Sequence, residues 1–102
     1  MKSPRKPKKR TLRLRMYVAG EAPNSLAAIR HLQELLASYP ALATELEIID
    51  VLQNPEPGMR EGVLVTPTMV KLAPRPERRI IGNLKDKDAL ISVLGLLELE
   101  SR

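Results

Sequence analysis

Residues 12–18 alternate without a break. Leu12, Leu14, Met16 and Val18 fall on one side of an extended chain, and Arg13, Arg15 and Tyr17 fall on the other. Period two is the spacing of a strand with unequal faces. The segment Ala19-Gly20-Glu21-Ala22-Pro23-Asn24-Ser25 breaks the pattern, and Asn24 or Ser25 is placed to cap a helix. Leu26, Ile29, Leu32, Leu35 and Leu36 then recur at three-to-four spacing, one helical stripe running to about Ser38. Tyr39-Pro40 ends it, because the residue before a proline is pushed out of the α region. Leu46–Leu52, dense in Leu, Ile and Val, is a second strand, closed by Asn54-Pro55-Glu56-Pro57-Gly58. A strand, a helix and a strand within about forty residues imply a parallel pair with a right-handed crossover. The chain is thereby an α/β protein.

The remaining pattern is shorter in every element. Met59–Leu64 is ambiguous and has room for one or two helical turns. Thr68–Leu72 and Arg78–Ile81 are strand candidates, and the five residues between them suit an antiparallel hairpin. Asp86 or Asp88 opens a last helix, with acids at its positive end. Leu90, Ile91, Leu94 and Leu97 are its expected buried stripe, to about Leu99. At 102 residues one core is expected and no repeat is found. The order βαβαββα, a parallel unit followed by a hairpin and a closing helix, is the minimal thioredoxin-like arrangement, assigned here to residues 11–102.

Charge divides the chain differently. Residues 1–15 carry eight of the seventeen Lys/Arg and no acid, whereas residues 16–102 carry nine against all twelve Asp/Glu, a balance of −3. The first ten residues hold Pro4 and Pro7 and no aliphatic side chain beyond Met1, so a disordered basic arm is expected there. Arg13 and Arg15 interrupt the only apolar run that follows, which argues against a secretory signal. Nothing approaches the roughly 18 apolar residues of a spanning helix. The expectation is a cytoplasmic protein with no membrane contact. A basic arm suggests phosphate affinity, but no aromatic side chain is interleaved in it and no base-reading motif follows, which argues against nucleic acid.

Chemistry is constrained by what is missing. With no Cys there is no disulfide, no thiolate zinc site and no thiol redox step. His31 stands alone in the chain, so it completes neither a His-based metal site nor a triad, and it reads as a surface or boundary histidine. Ser25 reads as a helix cap rather than a nucleophile, because nothing nearby in sequence supplies a base. No catalytic residue and no cofactor is expected. Pro67, in Thr66-Pro67-Thr68, sits where a thioredoxin-like fold places a cis-proline, and cis and trans both remain open there. The run from Lys71 to Arg79 is the densest charge in the folded part, stiffened by Pro74 and Pro76. It suits either a solvated loop or a docking surface for an acidic protein, with Lys71, Arg75, Arg78 and Arg79 as the candidate contacts.

Six blocks together resemble the KaiB family: Tyr17-Val-Ala-Gly20 with Pro23-Asn-Ser25, Ile49-Asp-Val-Leu52 with Asn54-Pro55, Val65-Thr-Pro-Thr68, and Arg78-Arg-Ile-Ile-Gly82. They stand in the family's order and cover roughly residues 12–97. The resemblance implies a non-enzymatic regulator of the bacterial circadian clock that binds the N-terminal ring of the hexameric ATPase KaiC. It also implies metamorphism, an exchange between a ground-state tetramer of distinct fold and a thioredoxin-like monomer, with the second half of the chain rebuilt. A tetramer or dimer is therefore expected beside the monomer. The weak commitment of Met59–Val65, and of Ser92–Leu99 with Gly95 in its middle, fits two packings a few kcal/mol apart.

Three departures set this chain apart from that pattern. Glu47 stands where many members carry Lys, and this reversal argues against a KaiA partner. Arg75 interrupts a run of prolines, and an acidic C-terminal tail is replaced by the basic N-terminal arm. The combination favours a KaiB-like protein of a non-clock or reduced KaiB–KaiC system, linked to stress or signalling, over the full clock. The alternative is a free-standing counterpart of the KaiB-like sensor domain of SasA-type kinases, which stays thioredoxin-like. A cysteine-less glutathione-binding protein is disfavoured, because the helical second domain of such enzymes is missing.

Overall fold

The computed structural model describes residues 11–100, so the arm assigned to residues 1–10 lies outside the described residues. β1 (Leu12–Val18) keeps the bounds its alternation dictates. α1 (Pro23–Ala37) begins two residues before Ser25, with Pro23 in its first turn. A proline is well suited there, since its missing N–H would have no partner and its φ is already helical. β2 (Thr44–Asp50) starts and ends two residues earlier than the apolar run suggested. α2 (Pro55–Glu61) starts inside the Pro-Glu-Pro segment that reads as a strand-closing turn. β3 (Thr68–Ala73) and β4 (Arg78–Ile81) form the expected hairpin. α3 (Lys87–Leu94) is capped by Asp86, whose carboxylate accepts from the Ala89 N–H, and α4 (Leu96–Glu100) follows.

The four strands make one sheet in the order β2-β1-β3-β4. β1 pairs parallel with β2 and antiparallel with β3, and β3 pairs antiparallel with β4. This is the thioredoxin-like topology, with a bulge between Arg13 and Leu14. The even-numbered residues of β1, with Met69, pack under α1, α3 and α4 to form the main core. The other face holds a smaller cluster, Tyr17, Ile49 and Val70. α2 approaches that face closely enough that a Cβ on Gly58 would lie 3.3 Å from Val51 Cγ1. Beyond α2 the same face carries paired charges, Arg13–Glu45 at 3.1 Å and Arg15–Glu47 at 3.0 Å.

Two apolar stripes differ from the expected ones. On α1 the buried positions are Ser25, Ala28, Leu32 and Leu35, while Leu26 is exposed. Ile29 and Leu36 still pack partly buried against that core, so only Leu26, in the first turn, falls off the expected stripe. The single closing helix is instead two, because Gly95 adopts the left-handed conformation (φ +67°). That break resets the phase, so Leu96 and Leu99 enter the core and Leu97 points to solvent.

Candidate docking site

Three turns meet at the carboxyl ends of the parallel strands, the end of an α/β sheet where ligands bind. Each is tied by a short polar side chain. Gly20 and Leu52 N–H both donate to Asp50 Oδ1, at 2.9 and 3.0 Å. The Ala19 N–H donates to Ser25 Oγ at 3.2 Å. Ser25 therefore fastens the turn before α1 instead of capping the helix, and its hydroxyl is buried in that task. Thr68 Oγ1 donates to the Val65 carbonyl at 2.7 Å. The peptide between Thr66 and Pro67 is cis, as are those preceding Pro74 and Pro76.

Between these turns lies an open groove of about 360 Å³, lined chiefly by Val51, Leu52, Met59, Val63, Leu64 and Val65. Three of those side chains are far more exposed than aliphatics in a core: Leu52 at 71%, Met59 at 73% and Leu64 at 93%. Among the described residues neither Leu64 nor Thr66 makes a backbone hydrogen bond. The lining holds no carboxylate, imidazole or amine, and its one hydroxyl, on Thr66, has no base in the groove. Such a site can bind apolar surface and an extended backbone. Because its turns are already fastened, little ordering is needed on binding. Sequence reasoning missed it, since it is assembled from three loops. The only signal was a surplus of aliphatics outside the strand and helix stripes.

The four basic candidates do not form one cluster. Lys71 pairs with Arg78 and Val70 with Arg79 across the hairpin, so the two arginines point to opposite faces of the sheet. Arg79 lies on the α2 face and donates to the Glu61 carbonyl at 2.7 Å and the Gly62 carbonyl at 3.3 Å. It thus satisfies the end of α2 and is 3.4 Å from the Glu61 carboxylate. Lys71 is 4% exposed on the helix-covered face, not at the surface as a docking role required. Burial and the Arg78 charge push its pKa below the usual lysine value, and Glu98 opposes the shift. Arg75 and Arg78 alone are exposed and make no ion pair among the described residues.

His31 is a fastening residue. The Asn83 carbonyl can only accept, so His31 Nδ1 donates to it at 2.7 Å and carries the proton. The bond holds the turn before α3, where Leu84 is buried at φ +61°. Among the described residues no three His, Cys, Asp or Glu side chains converge as metal ligands. Nor is any described helix long and apolar enough to cross a membrane. Glu47 lies on β2, an edge of the sheet, against Arg15.

Comparison with known proteins adds relatives to this geometry. The family model described as the KaiB domain matches residues 15–96. The circadian clock oscillator protein KaiB of Trichodesmium erythraeum is 42% identical over 91 residues, which are 89% of this chain and 88% of that one. Its counterpart in Microcystis aeruginosa is 40% identical over 94 residues, covering 92% and 90%. In structure the chain is similar to the N-terminal domain of Synechococcus elongatus SasA, with TM-score 0.75, 24% identity and coverage of 94% and 93%. Thioredoxin 1 of Thermosipho africanus superposes with TM-score 0.67 at 19% identity, covering 88% and 99%.

Proposed function

Because the chain belongs to the KaiB family, we propose that it is a non-enzymatic regulatory protein that docks on a KaiC-type hexameric ATPase in the cytoplasm. Its setting is a circadian clock or a clock-related signalling system. The observation that carries the reading is the groove, an exposed aliphatic surface with free backbone groups and no reactive side chain. In a thioredoxin-like chain without cysteine, the end of the sheet that would host thiol chemistry is left as a contact surface. Burying Leu52, Met59 and Leu64 against a partner would supply about 1.5–3 kcal/mol per fully covered side chain. Arg75 and Arg78, at the other end of the sheet, contribute long-range steering toward an acidic partner. Glu47 on the β2 edge keeps KaiA out of the proposal.

The direct test is capture of the KaiC-type ATPase from the same genome, with ATP and ADP compared. Retention of the ATPase on the immobilised full chain in either nucleotide is expected, and its absence in both contradicts the reading. A second reading, a free-standing SasA-type sensor domain, draws on the structural likeness at TM-score 0.75. The two differ in solution. A tetramer, or slow exchange between two sets of amide resonances, supports KaiB behaviour with its alternative ground-state fold. A single monomeric set supports the sensor type.

A further inference from the structure

α2 lacks the anchor that usually holds a surface helix. Its only buried residue is Gly58, and Met59 beside it is exposed. A helix this short has little stability of its own, and Asn54 makes no side-chain cap at its start. Its far end is held by charge instead. Arg79, on the edge strand β4, donates from Nη2 to the Glu61 carbonyl at 2.7 Å and from Nη1 to the Gly62 carbonyl at 3.3 Å. The same Nη2 is 3.4 Å from one Glu61 carboxylate oxygen, and Arg15 Nη1 is 4.0 Å from the other. Gly62 turns the chain at φ +75°, and the Val63 N–H returns to the Gly58 carbonyl at 2.8 Å. Glu61 and Gly62 therefore join the Met59 wall of the groove to the wall of Val63, Leu64 and Val65.

We propose that Arg79 is a positioning residue of the docking groove, holding its two walls in place through the end of α2 without touching the partner. This role rests on the reading of the groove as the partner contact. Arg79 is not among the groove-lining residues, yet both carbonyls it holds lie at the turn between the walls. Carbonyls at a helix end have no intrahelical partner, and a charged donor makes the stronger bond to them. A guanidinium suits the task, because its planar fork reaches two carbonyls and a carboxylate together, which a lysine ammonium does not. With the clasp open, only the fraction of chains that keep both walls in place can accept the partner, so affinity falls by that fraction. Arg78, next to it in sequence, points to the opposite face of the sheet and takes no part in the clasp.

The test pairs hydrogen exchange of the free full chain, followed by NMR, with isothermal titration of the cognate KaiC-type ATPase. Arg79→Gln should speed exchange of the Gly62 and Val63 amides by about tenfold or more, as loss of bonds from a charged donor does. Protection in β1 should stay as it is, and affinity for the ATPase should fall by about threefold or more. Arg13→Gln, which breaks the Arg13–Glu45 pair on the same face away from α2, should change neither. Unchanged exchange at Gly62 and Val63 overturns the clasp, whatever happens to affinity; a loss of affinity alone would make Arg79 a direct partner contact. Faster exchange with unchanged affinity overturns its role in the groove. A parent chain that fails to bind the ATPase refutes the reading of the groove itself, while the exchange still decides the clasp.

Discussion

The βαβ half and the half that follows it share one sheet but are held differently. β1 and α1 supply seven of the thirteen buried residues described in the main core, through a seven-residue strand and a fifteen-residue helix, and β2 adds the partly buried Leu46. From Pro55 onward the elements are short: seven residues in α2, four in β4, eight in α3 and five in α4. Two of those helices end in left-handed glycines, Gly62 and Gly95. Most of the exposed large aliphatics also belong to this half, Met59, Leu64, Val65, Ile81 and Leu97 among them. Helices this short have little stability of their own and depend on a few anchoring side chains. The contrast teaches where stability and function divide. The first half is the scaffold, and the second half trades packed apolar surface for surface a partner can cover.

Truncating one anchor in each half should break or sharpen that contrast most strongly. Leu32→Ala and Leu94→Ala both remove fully buried side chains, each expected to cost about 2–5 kcal/mol locally. Hydrogen exchange should nevertheless separate them. Leu32→Ala should lower protection throughout the sheet, while Leu94→Ala should lower it in β4, α3 and α4 and leave β1 nearly as protected as before. Equal loss everywhere after Leu94→Ala would mean that the two halves form one cooperative unit.

A smaller effect is expected at the break between α3 and α4. A Cβ on Gly95 would meet only Glu98 Oε1 at 3.6 Å, an ordinary contact, so the cost of Gly95→Ala is backbone strain. Holding alanine at φ +67° should cost about 1–2 kcal/mol. Urea unfolding should show that loss, and a variant as stable as the parent would remove the strain argument.

Lys71 gives the smallest effect, and one that depends on pH. Its folded pKa lies below the ordinary 10.5, so the unfolded chain binds the proton more readily. Its contribution to stability therefore rises as pH climbs from the folded value toward 10.5, and is least favourable below that window. Lys71→Met should stabilise the fold at pH 7 by on the order of 1 kcal/mol. Between pH 7 and 10 the parent should then gain stability relative to the variant. Parallel stability curves for the two proteins would show that burial of the amine costs nothing.

Much of the fold was legible because its signals are local. Alternation defined β1, one of the two acids expected to open the last helix, Asp86, caps α3, and the spacing between β3 and β4 implied their hairpin. Errors arose where one residue type serves two structures. Pro55 and Pro57 read as turn residues, yet proline also opens helices, and α2 begins there. Leu97 kept helical spacing on paper, but the left-handed Gly95 shifted the register. The candidate site was less legible. Period two alone places Arg78 and Arg79 on opposite faces, so their separation could have been read from sequence. The burial of Lys71 on the helix-covered face, the bond from Arg79 to the end of α2 and the three-loop groove needed the tertiary fold.

The account stands or falls on the groove as the contact with the ATPase. Leu64 is the residue to change, because at 93% exposure an acid there leaves the core untouched. Isothermal titration of the cognate KaiC-type ATPase with the parent and with Leu64→Asp measures the claim directly. Placing a charge in the apolar contact should weaken affinity by at least about tenfold, near 1.4 kcal/mol, with the unfolding midpoint unchanged. Equal affinity for the two proteins would contradict the account.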